Sequence, residues 1–134
     1  MYTIVDTGST AILISALYFE SLLEEIFSYA GISDWQLEDG YVYTRCEDHM
    51  PSLFFQMDGA WIEARPEDYV YDRYGDGSEC MLFLAPSNSP MNIFGMPIFV
   101  DYYSIHEPRE NKITWALHTN SAKQEIIKGT RYFA

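Results

Sequence analysis

The sequence predicts a mainly β domain built chiefly of antiparallel strands, with one principal α-helix. Aromatic residues make up 16% of the 134, including 11 Tyr and 8 Phe, and such side chains suit half-buried pleated surfaces. Short β-branched and aromatic runs recur between clusters of Gly, Pro, Asn, Asp and Ser, the punctuation of a strand-and-turn chain. Helical spacing of apolar residues is sustained in a single stretch, from Ala16 to Tyr29.

The elements follow in order. Tyr2 to Val5 reads as a short strand, Asp6-Thr7-Gly8 as a turn, and Ala11 to Ile14 as a second strand. Ser15 suits the N-cap of the helix, whose hydroxyl can satisfy a first-turn N–H. Leu22, Leu23, Ile26 and Phe27 form the apolar stripe, Glu20, Glu24 and Glu25 the solvated face, and Gly31 the stop. Strands are expected over Tyr41 to Cys46 and Ser52 to Met57. Asp58-Gly59 then predicts a type I′ hairpin turn into AWIEA. Pro66 to Tyr69 reads as one helical turn, Asp72 to Glu79 as polar loop, and Cys80 to Ala85 as a buried strand followed by turn-rich Pro86 to Pro90. MNIFGMPIFVDYYSI reads as a short strand, a glycine and a brief helix with Pro97 in its first turn. Tyr102 to Ile105 and Lys112 to Leu117 close the domain as a hairpin across Glu107 to Asn111.

Charge narrows the function classes. Twenty acidic residues against 8 basic ones give a net charge of −12, which repels phosphates and argues against a nucleic-acid partner. No apolar run approaches the roughly 20 residues of a membrane-spanning helix, and the start lacks the basic region and cleavage pattern of a secretory signal. Residues 118–134 differ from the rest. Lys123, Lys128 and Arg131 face only Glu125 there, so this tail reads as a separate extension.

No cofactor and no metal are expected. His49, His106 and His118 are widely spaced without metal-ligand periodicity, the acidic loop Asp72 to Glu79 does not fit a calcium-binding loop, and neither a GxSxG elbow nor a phosphate-binding glycine loop occurs. Cys46 and Cys80 are compatible with one disulfide or with two buried thiols, and share no CxxC spacing.

What stands out is Asp6-Thr7-Gly8-Ser9, set between Ile4-Val5 and Ala11 to Ile14. A carboxylate among strands that read as buried is costly unless it is held and used. Gly8 lets the backbone come close enough to offer N–H groups, and Thr7 and Ser9 add hydroxyls that fix orientation. With a second carboxylate about 3 Å away, the two would share one proton. One would then act as base toward water while the other polarises a carbonyl oxygen.

At these residues the chain resembles the C-terminal lobe of the pepsin-like aspartic endopeptidases. IVDTGS is similar to the second catalytic motif. The helix after it, PSLFFQMDGAWIEARPEDYV, the Cys46/Cys80 pair and NIFGMPIFVDYYS come in the family's order. The resemblance covers residues 1–117 and implies one lobe of an acid-protease half-barrel, incomplete on its N-terminal side, with 118–134 as an extension.

It also implies roles. Asp6 would be one of two catalytic aspartates, supported by Thr7, Gly8 and Ser9, with Thr7 tying the two active-site loops together and Ser9 bonded to the Asp6 carboxylate. Thr10 and Ile12 would lie near the substrate cleft. Ile93, Phe94 and Gly95 would form the strand that passes beneath the aspartate loop in a ψ-shaped arrangement, and Cys46–Cys80 would be the lobe's disulfide. The partners implied are a peptide or protein substrate and an N-terminal lobe of the same polypeptide. The compartment implied is the secretory pathway, with a lysosomal, vacuolar or extracellular destination.

The chain also departs from that pattern. His106-Glu107 stands where the family has Phe-Asp, residues beyond Leu117 have no counterpart, and a first DTG motif and flap tyrosine are absent. Part of a bilobal acid endopeptidase, inactive as an isolated piece, is therefore the expectation. A homodimeric retropepsin-like enzyme, disfavoured by the long interval from Asp6 to Gly95, and an inactive pepsin-like binding module are the alternatives.

Overall fold

The computed structural model describes residues 3–57, 60–118 and the backbone of 127–128. Thirteen strands and three helices follow one another in these residues. They begin with β1 (Thr3–Val5), β2 (Ile12–Ser15), α1 (Ala16–Ala30), β3 (Gln36–Glu38) and β4 (Tyr41–Thr44). A central group comprises β5 (Leu53–Met57), β6 (Ala60–Ala64), α2 (Pro66–Tyr69), β7 (Val70–Asp72), β8 (Cys80–Leu82) and β9 (Leu84–Ser87). The chain continues with β10 (Asn92–Phe94), α3 (Met96–Phe99), β11 (Tyr102–Glu107), β12 (Lys112–Leu117) and β13 (Ile127–Lys128). The mainly β class and the single long helix agree with the sequence reading.

Helix α1 forms for the reasons its sequence offers. Ser15 Oγ accepts from Leu17 N, and Gly31 closes the helix at φ 72°, ψ 29°, a left-handed conformation that glycine adopts without steric cost. Phe19, Leu23, Ile26 and Phe27 are buried, each contributing about 1.5–3 kcal/mol of apolar burial. They join Ile12, Val42, Ile62, Tyr69, Leu82, Leu84, Phe94 and Tyr102 in one core. Among the described residues no helix is long and apolar enough to cross a membrane.

The sheet that positions the candidate site has the order β1-β10-β2-β9. It is not simply antiparallel: β1 runs parallel to β10 and β2 parallel to β9, while β10 and β2 are antiparallel. Strand β10 thus lies between the two strands that flank Asp6. The predicted strand Cys80 to Ala85 is in fact two strands. Its break is at Phe83, whose N–H donates to Tyr69 O at 2.7 Å and whose carbonyl accepts from Ile12 N at 2.9 Å. Those bonds carry the chain from the β3-β4-β8-β7 sheet into the β2 sheet. Pro86 and Ser87, expected in a turn, belong to β9. As an edge strand, β9 tolerates a residue without an N–H.

Strands β3 and β7 are short and lack apolar alternation, so their sequences gave no strand signal. Strands β5 and β6 pair from Leu53↔Ala64 to Met57↔Ala60, as the hairpin reading requires; the Asp58-Gly59 turn itself lies outside the described residues. The last hairpin, β11-β12, closes through a 3₁₀ turn at Pro108–Glu110 and Asn111 at φ 50°. Trp115 on β12 packs edge-on against Phe94 and Tyr102. Cys46 and Cys80 are disulfide-bonded with Cα atoms 5.0 Å apart, which settles the two thiol readings. The tail assignment, residues 118–134, falls largely outside the described residues, but Ile127–Lys128 pairs antiparallel with β6.

Candidate active site

Asp6 caps the end of β1, where the chain turns through Thr7 and Gly8. The turn is held from below. Asp6 N–H donates to Phe94 O at 2.9 Å, and Ser9 O accepts from Met96 N at 2.9 Å, so β10 and the residue that opens α3 grip both ends of the loop. Ser9 N–H also donates to Asp6 O at 3.2 Å. The chain passes this close because Gly95 has no side chain. A Cβ there would lie 2.2 Å from Ala11 O and 2.6 Å from Ser9 O, inside any van der Waals limit.

The carboxylate is oriented by the motif's own residues. Gly8 N–H donates to Asp6 Oδ1 and Ser9 Oγ donates to Asp6 Oδ2, each at 2.9 Å. A Cβ on Gly8 would sit 3.1 Å from Oδ1 and press on the carboxylate that the amide holds. Among the described residues no basic group lies within ion-pair distance of Asp6. Its charge is met by one amide dipole and one hydroxyl. A carboxylate fixed in this way keeps lone pairs free to take a proton from water, or to share one with a second carboxylate.

The other predicted residues fall into two groups. Thr7, Gly8, Ser9, Ile93, Phe94 and Gly95 all lie at or under the Asp6 loop. Thr7 and Thr10 are exposed beside it. Ile12 is fully buried in the core, so its side chain offers no surface to a ligand. Cys46–Cys80 lies at the β3-β4-β8-β7 sheet, joining the loop after β4 to β8. Asp72 approaches those sulfurs, but bonded sulfurs supply no thiolate, and this cluster is not a metal centre.

Asp6 itself is exposed, whereas its apolar flanks suggested burial. The flanks are strands whose inner faces are buried, and the turn between them carries the carboxylate out at the sheet's end.

Two supporting residues were not anticipated. Asn92 Oδ1, buried, accepts from Ser15 N at 2.8 Å and locks the end of β2 to β10. An Asn opening an otherwise apolar strand was the available signal. Met96 contributes only its backbone N–H, which no side-chain pattern could reveal.

The profile of the eukaryotic aspartyl proteases matches residues 1–118. Among curated proteins, gastricsin of Mus musculus is 27% identical over 115 residues, covering 82% of this chain and 28% of that protein. Gastricsin of Rattus norvegicus matches to the same extent. Pepsin B of Canis lupus familiaris is 25% identical over 117 residues, covering 85% of this chain and 29% of that protein. The chain therefore spans less than a third of the length of these relatives.

Proposed function

The chain belongs to the eukaryotic aspartyl protease family, and from that premise we propose that it supplies one half of a peptide-cleaving pair of aspartates. The carrying observation is the Asp6 carboxylate with both oxygens held at 2.9 Å by Gly8 N–H and Ser9 Oγ, on a loop gripped by β10. Asp6, ionised, takes a proton from a water molecule as that water attacks the peptide carbonyl carbon. A second carboxyl, from outside these residues, gives its proton to the carbonyl oxygen. The tetrahedral diol then breaks its C–N bond as a proton returns to the leaving amine. No covalent enzyme intermediate and no metal take part in this scheme.

The second aspartate comes from an N-terminal lobe of the same polypeptide, which Thr7 helps to tie to this one. The substrate is a peptide or protein with bulky apolar side chains at the cleaved bond. The compartment is the secretory pathway, ending in a lysosome, vacuole or the exterior, and the Cys46–Cys80 bond suits such oxidising surroundings.

The test uses the longest natural polypeptide that contains this chain. It should cleave peptides in acid and bind a pepstatin-like inhibitor, and Asp6→Asn should lower cleavage by at least about a thousandfold while the fold, read by circular dichroism, persists. Cleavage by Asp6→Asn at the parent rate would refute the assignment. Acid peptidase activity from a two-fold dimer of the 134 residues alone would move the second aspartate to another copy.

A further inference from the structure

Strand β6 has β5 on one side only, and its other edge is closed in three steps. Glu63 N–H donates to Tyr102 Oη at 3.0 Å, and Arg65 N–H, just past the strand, donates to Asp68 Oδ2 at 2.9 Å. Both donors point away from β5, because successive residues of a strand alternate the direction of their N–H groups. Trp61, two residues before Glu63, turns its N–H to the same outer side. There Ile127 and Lys128 run antiparallel to it, in register Ile127↔Trp61 and Lys128↔Ala60. Ile127 is therefore the residue that exchanges backbone hydrogen bonds with Trp61.

Side chains thus close the edge at positions 63 and 65, and at position 61 the added strand lies against it. The tail's charge suits the attachment. Lys123, Lys128 and Arg131 outnumber its one acid, Glu125, while the rest of the chain is strongly acidic. Attraction of this kind raises the local concentration of a basic segment and fades with salt.

From this juxtaposition we propose that the β6 edge at Ala60–Trp61 is a strand-addition site for an extended basic peptide. Its resident occupant is the chain's own C-terminal segment through Ile127–Lys128, and it accepts the same segment supplied separately. This site is independent of Asp6 and of the reading given to it. Main-chain hydrogen bonds provide the attachment, as in other strand-addition modes of peptide capture, and the acidity of the rest of the chain adds a salt-dependent attraction for a basic segment.

Amide hydrogen exchange on the full chain tests it. Trp61 N–H should be protected in the parent chain. In Ile127→Pro, which removes the pairing N–H at that position, Trp61 should exchange at least about tenfold faster, while Ile62, bonded toward β5, changes by less than about twofold. A synthetic peptide of residues 119–134 added to Ile127→Pro should slow Trp61 exchange again, saturably and less well at high salt. The same peptide carrying Ile127→Pro should not. Equal Trp61 exchange in the parent and Ile127→Pro chains would overturn the proposal. So would a natural-sequence peptide that leaves the variant's exchange unchanged.

Discussion

At the scale of single residues, two glycines decide whether Asp6 can be presented as it is. Gly8 brings an amide to one carboxylate oxygen, and Gly95 lets β10 run beneath the loop. The first is a close approach within the motif itself, to a side chain that can give a little; the second is an exclusion of volume by two backbone carbonyls that cannot swing aside. Gly95→Ala should therefore cost about 3 kcal/mol of stability, since overpacking against backbone leaves no rotamer to relax. Urea unfolding followed by tryptophan fluorescence would measure it, and a loss under about 1 kcal/mol would contradict the packing argument. The sequence disclosed Asp6 and Gly95 because DTGS and the Ile93-Phe94-Gly95 run are local patterns. It did not disclose the exposure of Asp6, because alternation along a strand says which residues share a face, not where the strand's end emerges.

Among the elements, those with caps and periodicity were legible and those defined by their neighbours were not. Helix α1 has Ser15, an apolar stripe and Gly31, all visible in the chain, and its ends lie within a residue of expectation. Strands β3 and β7 exist because β4 and β8 offer them partners, and the break at Phe83 exists because Tyr69 and Ile12 bond to the N–H and the carbonyl of that one residue. Such features arise from contacts distant in sequence. The disulfide belongs to this scale, since it ties the loop after β4 to β8 across a sequence separation of 34. Cys46→Ser with Cys80→Ser should lower stability by roughly 4 kcal/mol on the chain-entropy account. Chemical denaturation of the double variant, or of the parent under reductant, reads this directly, and an unchanged midpoint would show that the sheet alone holds these strands.

For the molecule as a whole, stability should depend on alkali through two core phenols. Tyr69 is fully buried with its hydroxyl donating to Pro51 O at 2.6 Å, and loss of water raises its pKa well above the ordinary 10. Tyr102 is raised first by the same desolvation, opposed by the bond from Glu63 N–H. The native phenols keep their protons at a pH where the unfolded ones ionise. Their contribution is thus complete below about pH 10 and is lost as pH rises through the folded values. The thermal midpoint should accordingly fall steeply above about pH 10. Tyr69→Phe should lower the midpoint at neutral pH, through the lost hydrogen bond, yet flatten its fall in alkali. Parallel curves for the two proteins would show that other groups govern the transition. Burial of tyrosine was expected from composition, but which of the 11 would be sealed depended on the assembled core.

The passage of β10 beneath the loop also orders events in time. A ribosome emits Asp6 and its turn long before Asn92 to Gly95, so the carboxylate waits without its floor while the strands between them are made. Closing so long an interval is slow on entropic grounds, and the Asp6 loop should be among the last parts to set during synthesis. An emerging chain therefore holds the Asp6 carboxylate without its supporting strand until residues 92–95 have left the exit tunnel.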